Sequence, residues 1–165
     1  MDTSADAPLR CCIVFGGSSG ERDISAGSIK PWITSLAGRA DVALTVVFLD
    51  REGRGVILPE CYHYTNTCAD FEIALQPSDR LSETAFDELL SGAELVVPVL
   101  HGRPGEDGAF AERLERLGVD YLFSRPQALA QSFDKATTYA CLAREGLPVP
   151  AHLVISASDW RDDAG

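Results

Sequence analysis

Short apolar runs and helical patterns alternate along this chain. The runs at 10–15, 41–49 and 94–100 consist almost entirely of apolar residues, which is typical of strands buried on both faces in a parallel sheet. Apolar residues at helical spacing in 29–36 lie between the first two runs, so residues 10–49 predict a βαβ unit. The pattern as a whole favours an α/β fold with a mostly parallel sheet.

Weaker patterns fill the rest of the chain. Further helices are predicted at 83–90, 107–117, 126–133 and 134–146, and shorter strands at 56–58, 119–123 and 151–155. Residues 59–79 show no clear period, so we expect irregular structure there with one short strand at 71–75. Pro31 favours a kink or a restart in the first helix, and Pro98 favours an edge position or a bulge for the third run.

Composition and charge restrict the classes of function. The 165 residues are 45% hydrophobic, enough for the core of one domain or of one domain and part of a second. The formal charge of −11 disfavours nucleic acid and anionic membranes as partners. No apolar run approaches the roughly 18 residues of a membrane helix, and residues 1–10 lack the apolar centre of a signal peptide, so we expect a cytoplasmic protein.

The cysteines suggest neither disulfides nor a metal centre. Their number, five, is odd and their spacing is irregular, which does not predict a disulfide framework. Cys61, His63 and Cys68 could be metal ligands, but no second Cys/His pair completes a tetrahedral set. The sequence therefore predicts no metal site in this chain.

Two glycine-rich loops carry the candidate chemistry. One follows the first apolar run at 16–20, and the other follows the third run at 101–108. If these runs are neighbouring parallel strands, both loops lie at one edge of the sheet, and Glu21 lies close to His101. Glu21, beside a helix N-terminus, could hold a cationic group such as an ammonium, and His101 could orient that carboxylate or bind a substrate carboxylate. The alternatives are a solvated loop carboxylate and a structural histidine.

Glycines and one lysine complete the candidate residues. Gly102 and Gly105, like Gly16 and Gly17 in the first loop, would allow the backbone to approach a ligand closely. Lys135 has, by its pattern alone, the character of an ordinary surface lysine of a helix. Composition and spacing by themselves support an α/β domain that binds an anion or a zwitterion.

Three segments of the chain match motifs of a known family. Residues 15–25 resemble F-G-G-x-S-x-E-R-x-[VI]-S, residues 100–108 resemble L-H-G-x-x-G-E-D-G, and residues 132–135 resemble S-M-D-K, followed by the similar segment 146–150. These motifs are those of the D-alanine:D-alanine ligases of the ATP-grasp superfamily. Their order and spacing agree from about residue 10 to 155, so the chain is identified as resembling a member of this family.

The resemblance implies a fold and a domain division. The expected fold is a three-layer α/β/α arrangement with a mostly parallel sheet, described as pre-ATP-grasp and Rossmann-like. Residues 1–130 would form the N-terminal substrate-binding domain, and residues 131–165 would form the incomplete beginning of the central ATP-grasp domain.

The resemblance also implies a reaction. An ATP-dependent carbon–nitrogen ligase would join two D-amino acids through an acyl phosphate, with Mg²⁺ bridging the phosphates, to supply a peptidoglycan precursor. Glu21 would bind the amino group of the first D-alanine at a catalytic site supported by Ser25 and His101, and Lys135 would reach a phosphate of ATP. Most ATP contacts and the magnesium ligands would lie outside this chain, so we expect the 165 residues alone to be inactive.

Other functions stay open at this point. The family pattern T-[LI]-Q-G is replaced by Ala-Phe-Ala-Glu at 109–112, and P-Y-x-G-[SC] is replaced by Asp-Tyr-Leu-Phe-Ser at 120–124. These differences leave open a ligase for a different amino-acid pair, or a non-catalytic binding module with the same scaffold. An amino acid is the expected small-molecule partner, and a homodimer is left open.

Overall fold

The computed structural model describes residues 7–59 and 67–156. In this part of the chain the strands are β1 (Leu9–Gly16), β2 (Val42–Leu49), β3 (Gly55–Ile57) and β4 (Leu95–Val99). The helices are α1 (Arg22–Leu36), α2 (Cys68–Ala74), α3 (Glu83–Ser91), α4 (Ala109–Leu117), α5 (Pro126–Phe133) and α6 (Lys135–Arg144), with a 3-10 helix at Pro77–Asp79. The chain divides into two compact units, Met1–Ala130 and Gln131–Gly165.

The four strands form one sheet in the order β3-β2-β1-β4. Strand β1 pairs in parallel with β2 and with β4, while β3 pairs antiparallel with β2. Because β1 lies between two partners and carries apolar residues in both directions, its residues from Cys11 to Phe15 are buried on both faces. The predicted mostly parallel sheet is therefore confirmed.

Helices cover the sheet on both faces. On one face, α1 and α2 pack on a core that includes three phenylalanines, Phe15, Phe48 and Phe71, whose ring centroids are 5.1–5.4 Å apart. On the other face, α3 and α4 contribute residues such as Leu90 and Leu114 to a second core. This arrangement confirms the expected three-layer α/β/α fold.

The structure resolves both proline conflicts. Strand β4 is at the edge of the described sheet, and Pro98 is paired with Val14 of β1 there, which confirms the edge position. Helix α1 continues through Pro31 from Arg22 to Leu36, so the proline does not end the helix. Pro31 is exposed, and because proline has no N–H to donate to the carbonyl of Gly27, α1 continues there with one backbone hydrogen bond fewer.

The interpretation of 59–79 is wrong where the structure describes that segment. Helix α2 occupies 68–74, and the strand predicted at 71–75 is absent from it. A capping box starts this helix, with Thr67 and Asp70 each accepting a hydrogen bond from the other residue's backbone N–H. The pattern T-x-x-D was the missed signal, and residues 60–66 lie outside the described part of the chain.

The two short strands predicted from apolar runs at 119–123 and 151–155 do not form as strands. Residues 119–123 form a single bridge, between Tyr121 and Val96, in place of a strand. Residues 151–156 form neither helix nor strand, and Leu153 is 89% exposed. An apolar run forms a strand only where a partner strand supplies hydrogen bonds, and neither segment has a full partner in the described residues.

Among the described helices, none has the length and apolar character required to span a membrane.

Candidate functional site

The carboxyl ends of β1 and β4 deliver two loops to one edge of the sheet. Because β1 and β4 are parallel neighbours, with Phe15 opposite Val99, the loop that follows β1 and the loop that follows β4 leave the sheet side by side. The predicted parallel pairing is confirmed. This edge is where α/β sheets commonly bind their ligands.

Ser25 connects the two strand ends at this edge through two hydrogen bonds. Its hydroxyl is completely buried, accepts a hydrogen bond from Gly16 N at 2.8 Å and donates a short hydrogen bond to the carbonyl of Val99. The single hydroxyl proton is therefore used within the protein. Ser25 therefore links the ends of β1 and β4 to α1.

Glu21 lies at the start of α1 with an exposed side chain. Its backbone N–H donates to Ser19 Oγ at 3.0 Å, and its carbonyl accepts from Ile24 N at 2.9 Å. The carboxylate itself has no hydrogen-bond or ion-pair partner in the described residues. An unpaired anion beside a helix N-terminus can hold a cationic group.

The two loops meet at Glu21. A Cβ atom at Gly102 would lie 3.7 Å from Glu21 Oε2 and would collide with the hydroxyl of Ser19. Gly102 also has a φ of +67°, which favours glycine. Glycine at this position therefore permits close contact between the loops, and it places the second loop beside the Glu21 carboxylate.

His101, half-buried at the end of β4, contacts α1. Its Nε2 is 3.2 Å from Ser28 Oγ, and Ser28 lies seven residues after Glu21 on the same helix. Positions seven apart are two helical turns apart on one face, so α1 carries both Glu21 and the contact of His101. Sequence reasoning missed Ser28, because its contact with His101 joins residues 73 apart and has no local sequence signal.

Two carboxylates of the second loop, those of Glu106 and Asp107, accept hydrogen bonds from nearby backbone N–H groups. Glu106 Oε2 accepts from Gly102 N at 2.9 Å, and Glu106 N donates to Gly102 O at 2.7 Å. Asp107 Oδ1 accepts from Ala109 N at 3.1 Å, while Gly108 is the N-cap residue of α4. Glu106 was not predicted to have a role, and its two hydrogen bonds fix the loop that follows His101.

The remaining predicted glycines face protein atoms. A Cβ at Gly16, where φ is +93°, would lie 2.6 Å from Leu49 O, and a Cβ at Gly105 would lie 2.5 Å from Leu100 Cβ. A Cβ at Gly17 would contact Pro104 at 3.4 Å. Close packing of the loops against neighbouring chain therefore requires glycine at positions 16 and 105, and a φ of +95° favours it at Gly17; neither reason involves a ligand.

An ion pair between buried Arg22 and partly exposed Glu72, missed by sequence reasoning, connects α2 to the first turn of α1. The Arg22 side chain is 6% exposed, and its Nη1 donates to Glu72 Oε1 at 2.7 Å. Asp23 lies inside α1, whose N-cap is Glu21, and its Oδ1 accepts from Cys68 N at 2.7 Å. The residues that follow Glu21 thus connect the first turn of α1 to α2.

The second unit contains Lys135. This exposed lysine is the first residue of α6, and Asp134 caps the helix by accepting from Thr137 N at 2.7 Å. Hydrogen bonds from Thr137 keep the pKa of the Asp134 carboxyl below its usual value. Asp134 therefore fixes the first turn of α6, where the side chain of Lys135 is accessible.

The described residues contain no group of three or more His, Cys, Asp or Glu side chains that could hold a metal ion. Cys61 and His63, the weak metal candidates, lie outside the described residues. Burial raises the pKa of the Cys68 thiol to about 11, and its Sγ donates to the carbonyl of Arg22 at 3.3 Å. Cys68 is therefore a buried thiol that is hydrogen-bonded within the protein.

Comparison with known proteins assigns the fold and the motifs to a family. A family model described as D-ala D-ala ligase N-terminus matches residues 10–124. A D-alanine–D-alanine ligase of Mycolicibacterium gilvum is 36% identical over 172 residues, covering 93% of this chain and 46% of that protein. One of Bradyrhizobium is 32% identical over 161 residues, covering 91% of this chain and 43% of its own length.

A solved structure agrees with these sequence comparisons. The D-alanine–D-alanine ligase of Helicobacter pylori superposes with a TM-score of 0.73 at 22% identity, covering 94% of this chain and 50% of that one. This chain therefore spans about half the length of the proteins it matches. Since the family model covers the sheet and both loops, the chain belongs to the D-alanine–D-alanine ligase family and corresponds to its N-terminal region.

Proposed function

We propose that this chain is the amino-acid-binding region of a cytoplasmic ATP-dependent ligase that joins two D-alanines for peptidoglycan synthesis. The observation that carries the proposal is the unpaired Glu21 carboxylate at the sheet edge, within a segment that the family model matches. Residues 1–130 form the substrate-binding domain in this proposal, and residues 131–165 begin a central ATP-binding domain.

The substrate subsite follows from the two loops. The Glu21 carboxylate holds the ammonium of the first amino acid through charge-assisted hydrogen bonds, which are stronger than neutral ones. His101 contacts the same substrate from the other loop, and Ser25 keeps the two strand ends together. The site is therefore built for a zwitterion, with the carboxylate of Glu21 as its anionic side.

ATP contacts this chain at Lys135 in this proposal. An exposed ammonium at the start of a helix suits a phosphate, because the backbone N–H groups there also favour anions. When bound, ATP supplies the phosphoryl group that activates a carboxylate as an acyl phosphate, with Mg²⁺ neutralising the phosphates. The described residues offer no carboxylate cluster for Mg²⁺, so we assign no magnesium ligand here and expect the 165 residues alone to be inactive.

The test uses the complete reading frame that contains this chain. Its product is expected to release phosphate from ATP in a D-alanine-dependent manner. The variant Glu21→Gln should lower kcat/KM for D-alanine about 10- to 100-fold, because a hydrogen bond to a charged group is worth about 1.5–3 kcal/mol. Glu88→Gln, which makes the same change on the exposed face of α3, is the matched control and should leave the kinetics unchanged.

The alternatives give different results in the same assay. Phosphate release with another amino acid, in a screen of D-amino acids, would indicate a ligase for a different pair. A reading frame that ends near residue 165, or a longer product without any amino-acid-dependent phosphate release, would indicate a non-catalytic binding module. Unchanged D-alanine kinetics in Glu21→Gln would remove the role assigned to this carboxylate.

A further inference from the structure

We propose that Ser28 is a positioning residue that sets the tautomer of His101. Ser28 holds the ring hydrogen on Nε2 and leaves Nδ1 as the nitrogen available to hydrogen-bond an amino-acid substrate. The identity of the substrate rests on the proposed function, whereas the tautomer depends only on hydrogen bonds within this chain.

The inference depends on which hydrogen bond uses the single hydroxyl proton of Ser28. A serine hydroxyl has one proton and two lone pairs. Ser28 Oγ is 2.8 Å from the carbonyl oxygen of Ile24, which can only accept, so the hydroxyl proton is used in that hydrogen bond. The second contact of the same oxygen, with His101 Nε2 at 3.2 Å, must then be one in which the ring donates.

The consequence applies to both charge states of the ring. In the neutral ring, Nε2 carries the hydrogen and Nδ1 carries the lone pair; in the imidazolium, both nitrogens carry hydrogens. Nδ1 is therefore the nitrogen of His101 that gains or loses a proton. Nδ1 has no hydrogen-bond partner in the described part of the chain, so it is available to a ligand.

The same chain provides an internal contrast. His152 Nδ1 is 3.0 Å from the carbonyl oxygen of Pro150, which can only accept. The neutral ring of His152 must therefore carry its hydrogen on Nδ1, the opposite of His101. Two histidines of one molecule are thus expected to show opposite tautomers under identical conditions.

Nitrogen NMR of the 165-residue chain, labelled with ¹⁵N histidine, tests the tautomers without any activity assay. At about pH 8.5, where free imidazole is neutral, the Nε2 resonance of His101 and the Nδ1 resonance of His152 should be those of protonated nitrogens. A protonated Nδ1 in neutral His101 would overturn the proposal. The signals are assigned with the variants His101→Gln and His152→Gln.

A matched pair of substitutions tests whether Ser28 is the cause. Ser28→Thr retains a hydroxyl at this half-buried position. Ser28→Val introduces a side chain of nearly the same volume as threonine but without the hydroxyl. The Val variant should show a detectable Nδ1-protonated population of His101, and the Thr variant should keep the wild-type tautomer. If the Val variant keeps the wild-type tautomer, Ser28 does not set it and the proposal fails.

Kinetics of the complete reading frame separate this inference from the proposed function. Ser28→Val should lower kcat/KM for the amino acid about two- to tenfold, mainly through KM, because a neutral hydrogen bond is worth about 0.5–1.5 kcal/mol. Ser28→Thr, which keeps the hydroxyl, should leave kcat/KM close to the wild-type value. Equal kinetics of the two variants in an active enzyme would overturn the positioning role and leave the proposed function intact. An inactive wild type with the expected tautomers would refute the ligase function and support the hydrogen-bond assignment.

Discussion

The two compact units of this chain differ in how much of their apolar surface is buried. In the first unit (Met1–Ala130), two core clusters cover both faces of the sheet. In the second unit (Gln131–Gly165), α6 has no buried residue in the described part, and Leu147, Leu153 and Ile155 are exposed. The first unit therefore has the packing of an independently stable domain, and the second does not.

The difference also separates the candidate functional residues. Glu21, Ser25 and His101 are placed by buried strands and by hydrogen bonds between segments far apart in sequence. Lys135 is placed by the local cap of one helix. Precise positioning of a side chain requires rigid surroundings, so we expect Glu21, Ser25 and His101 to be held more rigidly than Lys135.

The largest expected effect comes from equivalent leucine substitutions in the two units. Leu90 is fully buried in α3, whereas Leu153 is 89% exposed. Leu90→Ala should lower the free energy of unfolding by about 2–5 kcal/mol, and Leu153→Ala should change it by less than about 0.5 kcal/mol. Urea denaturation followed by circular dichroism measures both, and similar losses for the two variants would contradict the contrast.

The sequence predicted the fold where apolar pattern and chain topology agree. β1, β2 and β4 are apolar runs, and a run that is almost entirely apolar is typical of a parallel strand buried on both faces. The sequence failed at α2, a helix of 7 residues that depends on a capping box and on burial of Phe71. It also failed at 151–155, because an apolar run alone does not show whether a partner strand exists.

The candidate site was predicted only in part, for a similar reason. Motifs and parallel-strand topology located the loops that carry Glu21 and His101. The contact of His101 with Ser28 joins residues 73 apart, and the Arg22–Glu72 pair joins residues 50 apart, so neither could be deduced from local spacing. The fold brings such pairs together, and one sequence without a structure gives no direct sign of them.

Two ion pairs extend the comparison of the units. Glu72→Gln leaves the buried Arg22 guanidinium without its carboxylate, and its Nε and Nη2 already have no hydrogen-bond partner in the described residues. We expect a loss of about 2–3 kcal/mol. Glu145→Gln breaks the exposed Arg144–Glu145 pair of the second unit and should cost less than about 1 kcal/mol. Equal losses in urea denaturation would show that burial of Arg22 is not what matters.

Acid should weaken the first unit through Asp50. Burial raises the pKa of this carboxyl, but the Arg54 N–H and the guanidinium groups of Arg80 and Arg54 outweigh it, so the pKa is lowered. A lowered folded-state pKa adds stability above the unfolded value, about 3.9, and that stability is lost as pH falls through the folded value. Urea midpoints of wild type and Asp50→Asn at pH 7, 5 and 3.5 should therefore converge with falling pH. A constant difference would contradict this role.

The smallest expected effect compares two helix caps, Ser82 of α3 and Asp134 of α6. Each side chain accepts a hydrogen bond from the backbone N–H three residues later, at 3.1 Å for Ser82 and 2.7 Å for Asp134. Ser82→Ala should lower the free energy of the main unfolding transition by about 1 kcal/mol. Asp134→Ala should leave that transition in place, because α6 has no buried residue that links it to a core.

The loss of the Asp134 cap should appear in local opening instead. Amide hydrogen exchange in α6 should become about fivefold faster, the ratio that corresponds to about 1 kcal/mol, while the amides of β1 keep their protection. If Asp134→Ala shifts the main transition as much as Ser82→Ala does, the two units unfold together. In that case the exposed second unit would be stabilised cooperatively with the first, and Lys135 would be held as firmly as Glu21.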